Sequence, residues 1–198
     1  MEAEMKMWMD LLFGGSHKLG DRQVKLYEFC TPGESTFQRL AEVFENSATL
    51  LTPYSDETLN RAFWDLRSVW CALGEESIAS SLRHRVVNSF EILFRELFAR
   101  RCSPVLGHRN ETGSPLNSAC YMWWDWDCWY PTPSSALLEV MRSTLAIDHV
   151  ACQESALHGL GHWYQRQQSA AVASIIDEFL EREAHLRVEL REYAQLAS

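Results

Sequence analysis

Glu154, His158 and His162 stand four residues apart in the stretch "CQESALHGLGHWY". Residues four apart share one face of an α-helix, so one carboxylate and two imidazoles project together. A row of this kind is competent for zinc or iron. Asp148 or His149 are candidates to extend it. The row is not the H-E-x-x-H arrangement, in which a glutamate between the ligands acts as base. Cys152, Ala156, Leu160 and Trp163 set the core side of the same helix, which puts the row roughly opposite that side. The plainer alternative is a set of exposed polar residues, or histidines hydrogen-bonded to a neighbouring helix.

A second constellation is "CYMWWDWDCWYPTP", residues 120–133. Trp123, Trp124, Trp126 and Trp129 fall within it, interleaved with Asp125 and Asp127. Paired carboxylates do acid and base work when they face one cleft. They also accept hydrogen bonds from indole N–H groups or from arginine. Here they sit where a helix is ending ahead of Pro131, and acids at a helix C-terminus oppose its dipole. Trp123 and Trp124 are expected to face inward from the last turns of that helix. Trp126 and Trp129, with Asp125 and Asp127, are the candidate partner-binding surface, because a tryptophan left near the surface makes a strong interface anchor.

No nucleophile motif accompanies these groups. "GGSHKLGD" is neither G-x-S-x-G nor a phosphate loop. The formal net charge of -9 disfavours nucleic acid, which requires clustered Lys and Arg. It suits a basic partner protein. No apolar run approaches the roughly 20 residues that span a bilayer. The N-terminus "MEAEMKMWMDLLFGG" carries acids and does not read as a signal peptide, so a cytoplasmic location is expected. The six cysteines, Cys30, Cys71, Cys102, Cys120, Cys128 and Cys152, include no C-x-x-C pair. Reduced thiols packed in the core are the default for such a chain.

The elements that position these residues read as helices throughout. Ser35 and Gln38 have the spacing of a capping box, ahead of a stripe of Phe37, Leu40, Ala41 and Phe44. Ser55 caps the next helix, with Asp56 and Glu57 in its first turn. After Gly74, a helix from about Glu75 to Arg101 buries Ile78, Leu82, Val86, Phe90, Leu93, Phe94 and Leu97. Residues 103–113 read as a loop and the candidate internal boundary or mobile segment. Ser114-Pro115 and Thr132-Pro133 are helix starts. A helix from His149 to Tyr164 carries the Glu-His-His row. The last helix, from about Ser169 to Leu196, shows the stripe Val172, Ile175, Ile176, Phe179 and Leu180, with Glu178–Arg182 and Glu183–Arg187 as exposed pairs. Gly14 and Gly15 stop the first short helix. No segment alternates like a hairpin, so the chain is expected to be all-α, one domain over residues 1–198.

Within it, residues 133–182 resemble a HEAT-type, or armadillo-like, helical repeat. Leu137, Leu138, Met141 and Leu145 match its outer helix, Asp148 its turn, and Ala156, Leu157, Leu160 and Gly161 its inner helix. The resemblance implies a compact, irregular stack of antiparallel helical hairpins. It also implies a non-catalytic adaptor or scaffold that binds another protein and needs no cofactor. The alternative is a metal- or small-ligand-dependent enzyme that uses the Glu154, His158 and His162 face with zinc or iron. On either reading the thiols are core groups. A thiol reagent should therefore modify all six cysteines of the denatured chain and few of the native one, as counted by intact mass.

Overall fold

The computed structural model describes residues 2–14, 33–70, 78–125, 135–182 and 186–197, which form helices and turns with no strand among them. The all-α expectation therefore holds. No helix among the described residues is long and apolar enough to cross a membrane. The elements run α1 (Glu2–Phe13), α2 (Glu34–Glu45), α3 (Ser47–Leu50), α4 (Asp56–Asp65), α5 (Arg67–Trp70) and α6 (Ser80–Leu93). A π-helical turn (Phe94–Phe98) continues α6 into α7 (Ala99–Arg101). Then come a 3-10 turn (Gly107–Arg109), α8 (Asn117–Tyr121), α9 (Ser135–Leu145), α10 (Val150–Gln167), α11 (Ala170–Arg182) and α12 (Val188–Ala197).

The chain halves meet through α9, which packs on both α6 and α10. In the first half α6 lies against α2, and α1 against α4. Phe37, Leu40, Ala41 and Phe44 are all fully buried, as their spacing demands. The cap of α2, however, is not Ser35. The helix begins one residue earlier, at Glu34, with Gly33 in the cap position and no side-chain cap bond. Ser35 thus lies inside the first turn. Ser55 does cap α4, its hydroxyl accepting the backbone N–H of Thr58 at 3.3 Å.

Trp123 is the centre of the aromatic core. Phe44, Phe63, Trp70, Phe90, Phe94 and Phe98 surround its ring at centroid distances of 5.3 to 6.2 Å, mostly edge-on. Such edge contacts match the positive ring edge to the negative face, each contributing about 0.5–1.5 kcal/mol beyond burial. Trp124 stacks on Phe94 at 5.4 Å with the planes 8° apart. Both tryptophans are buried, as expected, although α8 ends at Tyr121 and they occupy the turn that follows. Gly159 of α10 makes room for this turn, since a Cβ there would stand 2.6 Å from the Trp124 Cβ.

In the second half α10 is covered by α8, α9, α11 and α12. The expected helix from Ser169 to Leu196 is two helices. The chain leaves α11 at Arg182, and α12 returns against both α10 and α11. Leu190 and Ala194 are fully buried there, and a Cβ on Gly161 would meet Ala197 at 3.1 Å. Both helices are amphipathic, so their apolar spacing reads as one continuous stripe and hides the break. The expected pair Glu178–Arg182 is also replaced: Glu178 is ion-paired with Arg142 of α9, and Arg182 donates to the Leu145 carbonyl oxygen at 3.4 Å. Arg187 pairs with Glu111 and Glu189. Glu183, Gly15, residues 71–77 and the Thr132-Pro133 start lie outside the described residues.

Val172, Ile175, Ile176 and Phe179 of α11 are buried, with Leu180 at the margin. Phe179→Ala should lower unfolding free energy by about 3–5 kcal/mol, the usual cost of deleting a buried ring. Denaturant titration of the two proteins measures it, and an unchanged midpoint contradicts the packing.

Candidate metal centre

Helix α10 is buried nearly all round, and this changes the meaning of the Glu154, His158 and His162 row. The side opposite Cys152, Ala156 and Leu160 is only partly open to water. The loop before α8 and helix α12 cover it. Glu154 is 1% exposed, and the two histidines are half-buried. A helix can be read as having one buried face only when it lies at a surface.

Glu154 does not stand with the histidines as a ligand. Its Oε2 accepts the Gly107 N–H at 2.7 Å, and its Oε1 accepts the His108 N–H at 2.9 Å. His108 Nδ1 lies 2.6 Å from the same Oε1. A buried carboxylate needs such donors, because its hydration is lost. Glu154 is not among the donor atoms that gather around His158 and His162.

The carboxylate that joins the histidines is Asp125. Its Oδ1 lies 3.2 Å from His162 Nε2, and His162 Nε2 lies 3.2 Å from His158 Nε2. All three donor atoms fall within 4.8 Å of one another. A tetrahedral ion with bonds of about 2.0–2.1 Å sets its ligands about 3.3 Å apart, so the spacing fits a first-row divalent metal. Two neutral imidazole nitrogens at this separation also repel through their lone pairs unless a proton or a cation lies between them.

A further layer orients His158. Tyr193 of α12 places its hydroxyl 2.9 Å from His158 Nδ1 and 3.3 Å from the Tyr121 hydroxyl. The His108 ring stacks on Tyr193 at 4.3 Å, 11° from parallel. The Tyr121 ring lies 4.4 Å from that of His158. Burial, then the neighbouring His162 charge, pushes the His158 imidazole down to about 4. It is therefore neutral at pH 7, the form that binds metal. Burial also raises the hydroxyls of Tyr121 and Tyr193, so both keep their protons. With Nε2 turned to a metal, His158 Nδ1–H would donate to Tyr193, the outer contact that fixes a ligand's tautomer.

Asp125 was expected at a partner surface with Trp126, Asp127 and Trp129. Those three lie outside the described residues, and Asp125 faces His162 instead. His149 does not extend the histidine row. It turns away, with Nε2 3.1 Å from the Cys102 carbonyl oxygen, and Asp148 acts electrostatically on His149 rather than joining the ligand group. His108, Tyr121 and Tyr193 also belong to the site. None has a local spacing that points to the site, since they come from a loop, α8 and α12.

Beside the centre a half-open cleft of about 450 Å³ is lined by Gly107, Glu111, Asn117, Tyr121, Met122 and Glu154 among others. Tyr121 forms a wall between cleft and histidines. Compared with protein-family models, curated proteins and solved structures, the chain matches none.

Loop 103–113 is cross-tied to its surroundings. Asn117 bonds the Ser103 backbone at both N–H and C=O, each at 2.9 Å. Glu111 accepts the Leu106 N–H at 2.9 Å and two Arg187 N–H groups at 2.7 and 3.1 Å. The Arg187 hydrogen bonds, then the Leu106 N–H, hold the Glu111 carboxyl down at about 2. A depressed carboxyl stabilises the folded form above its ordinary value of 4.5, and that contribution is lost as pH falls from 4.5 toward about 2. Carboxyl NMR titration should find Glu111 well below the other glutamates. Arg187→Ala should return it to the ordinary range, and an unmoved midpoint would rule out the tie.

Proposed function

We propose that the chain is a divalent-metal-binding helical protein whose ligands are Asp125, His158 and His162. Zinc and iron fit this donor set. The observation that carries the reading is the gathering of one carboxylate and two imidazoles within 4.8 Å, on residues the fold holds from two separate elements. Three protein ligands leave coordination positions for water or a small ligand, the pattern of catalytic rather than structural metal sites. A metal there would activate a bound water or polarise a bound ligand. The chain's own part is to keep His158 neutral, to orient it through Tyr193, and to present Asp125 from the turn that Trp123 and Trp124 anchor. The class of activity is a metal-dependent enzyme acting on a small molecule.

A second reading is a HEAT-like adaptor for a basic protein partner. The packing of α9 on α10 through a short connection supports it, since this is the helix pair that resembles the repeat. It does not require the metal.

Metal analysis of protein prepared without a histidine tag separates the two. The metal reading expects a zinc or iron ion that His162→Ala and Asp125→Ala both remove, with helix content retained by circular dichroism. Glu154→Gln should keep that ion, because Glu154 serves the loop. Tyr193→Phe should weaken binding about 10-fold or more, the scale of an outer-layer contact. Metal content indifferent to His162 and Asp125 would sink the proposal and leave the adaptor reading standing.

A further inference from the structure

The cleft beside the histidines divides its lining by chemistry. Val105, Pro115, Tyr121, Met122 and Ala151 give it an apolar wall. Glu111 and Glu154 give it two carboxylates, and no lysine or arginine is among the residues that line it. Its volume of about 450 Å³ lies in the range of small-molecule sites. An apolar wall that carries a few polar groups is the usual composition of such a site.

Both carboxylates are brought to the same stretch of backbone. Glu111 Oε2 accepts the Leu106 N–H at 2.9 Å, and Glu154 Oε2 accepts the N–H of the next residue, Gly107, at 2.7 Å. Positive charge is scarce there. Arg187 is shared between Glu111 at 2.7 Å and Glu189 at 3.3 Å. Glu154 meets two neutral backbone N–H groups and the His108 ring. Those contacts take three of the roughly four acceptor positions of a carboxylate, which leaves one on Oε2. Like charges held close together out of bulk water are relieved by a cation. An anion would meet repulsion with no lysine or arginine in the lining to offset it. A wholly apolar ligand would strip water from the carboxylates and replace it with nothing.

We infer that this cleft binds a small organic amine, its ammonium group paired with Glu154 and Glu111 and its apolar body against Tyr121 and Met122. The ammonium supplies positive charge and donates hydrogen bonds that the carboxylates strengthen by charge. The face of the Tyr121 ring adds attraction for a nearby cation. The net charge of -9 draws cations to the protein from a distance. Tyr121 lies 4.4 Å from His158, ring to ring, so the amine would be held one ring away from the candidate metal ligands. Binding of the amine does not itself require a metal.

Calorimetric titration of the full chain with phenethylamine at pH 7 tests it, with a chelator present so that no amine–metal bond contributes. The expected result is saturable binding of one molecule per chain. Phenethyl alcohol and phenylacetate are the neutral and anionic molecules of nearly the same shape. Each should bind about tenfold or more weakly, the scale of a hydrogen bond to a charged group. Glu154→Gln keeps the shape of the side chain without its charge, and should weaken phenethylamine about tenfold while leaving phenethyl alcohol unchanged. No saturable binding to the unaltered chain, equal binding of the three probes, or an unchanged affinity in Glu154→Gln overturns the site. Should Glu154→Gln fail to fold, amide NMR of the unaltered chain decides. Phenethylamine should shift the signals of residues 105–122 and of Glu154, which line the cleft, and shifts centred elsewhere overturn the assignment. Because the titration excludes metal, its failure leaves the Asp125, His158 and His162 reading untouched, and failure of that reading leaves the cleft untouched.

Discussion

A carboxylate withdrawn from water must be met by donors, and Glu154 imposes that condition on the middle of the molecule. Located on α10 and 1% exposed, it recruits two successive backbone N–H groups, of Gly107 and His108, from a loop nearly fifty residues earlier in the chain. The 3-10 turn Gly107–Arg109 is the local shape that points both N–H groups the same way. Asn110 closes it with φ at 56°, a left-handed conformation that asparagine tolerates better than most residues. Once the loop is seated, His108 lies over the Tyr193 ring, and Tyr193 reaches His158. Glu111, one residue beyond the turn, holds Arg187 at the entry to α12. One buried charge thus organises the loop, the return of α12 and the orientation of a candidate ligand.

The other ligand elements depend on apolar packing. Asp125 follows directly on Trp123 and Trp124, whose rings are locked into the aromatic core of the first half. Gly159, between His158 and the rest of α10, lets that turn approach closely enough for Asp125 to meet His162. The aromatic core therefore sets the carboxylate, and the buried helix sets the imidazoles. Among the described residues, the three-donor group draws on both. The π-helical turn Phe94–Phe98 lies at the same junction, where Phe94 stacks on Trp124 and its carbonyl faces the Cys152 thiol at 4.0 Å.

Much of this was written in local sequence. The stripe Phe37, Leu40, Ala41 and Phe44, the Ser55 cap, the inward tryptophans and the start of α10 are each decided by residues within a turn or two of one another, and the structure agrees. The four-residue spacing of His158 and His162 likewise required only helical geometry to bring them together. What local patterns misread were ends and partners. Ser35 has the spacing of a cap but sits inside its helix. The stripe of α11 runs on into α12 because two amphipathic helices in succession share the period of one.

Composition and periodicity by themselves determined that the chain is helical, which residues are apolar anchors, and that two histidines share a face. They could not determine which carboxylate accompanies those histidines. Glu154 is in register with them along α10, and Asp125 is not even on that helix. Only the tertiary structure supplied the competing donors, Gly107 and His108, that engage Glu154, and the tryptophan-anchored turn that brings Asp125 to within 3.2 Å of His162. The reason is physical. Helical register is set by bonds between neighbours in sequence, whereas a carboxylate's partner is chosen by whichever donors the fold leaves beside it once water has gone.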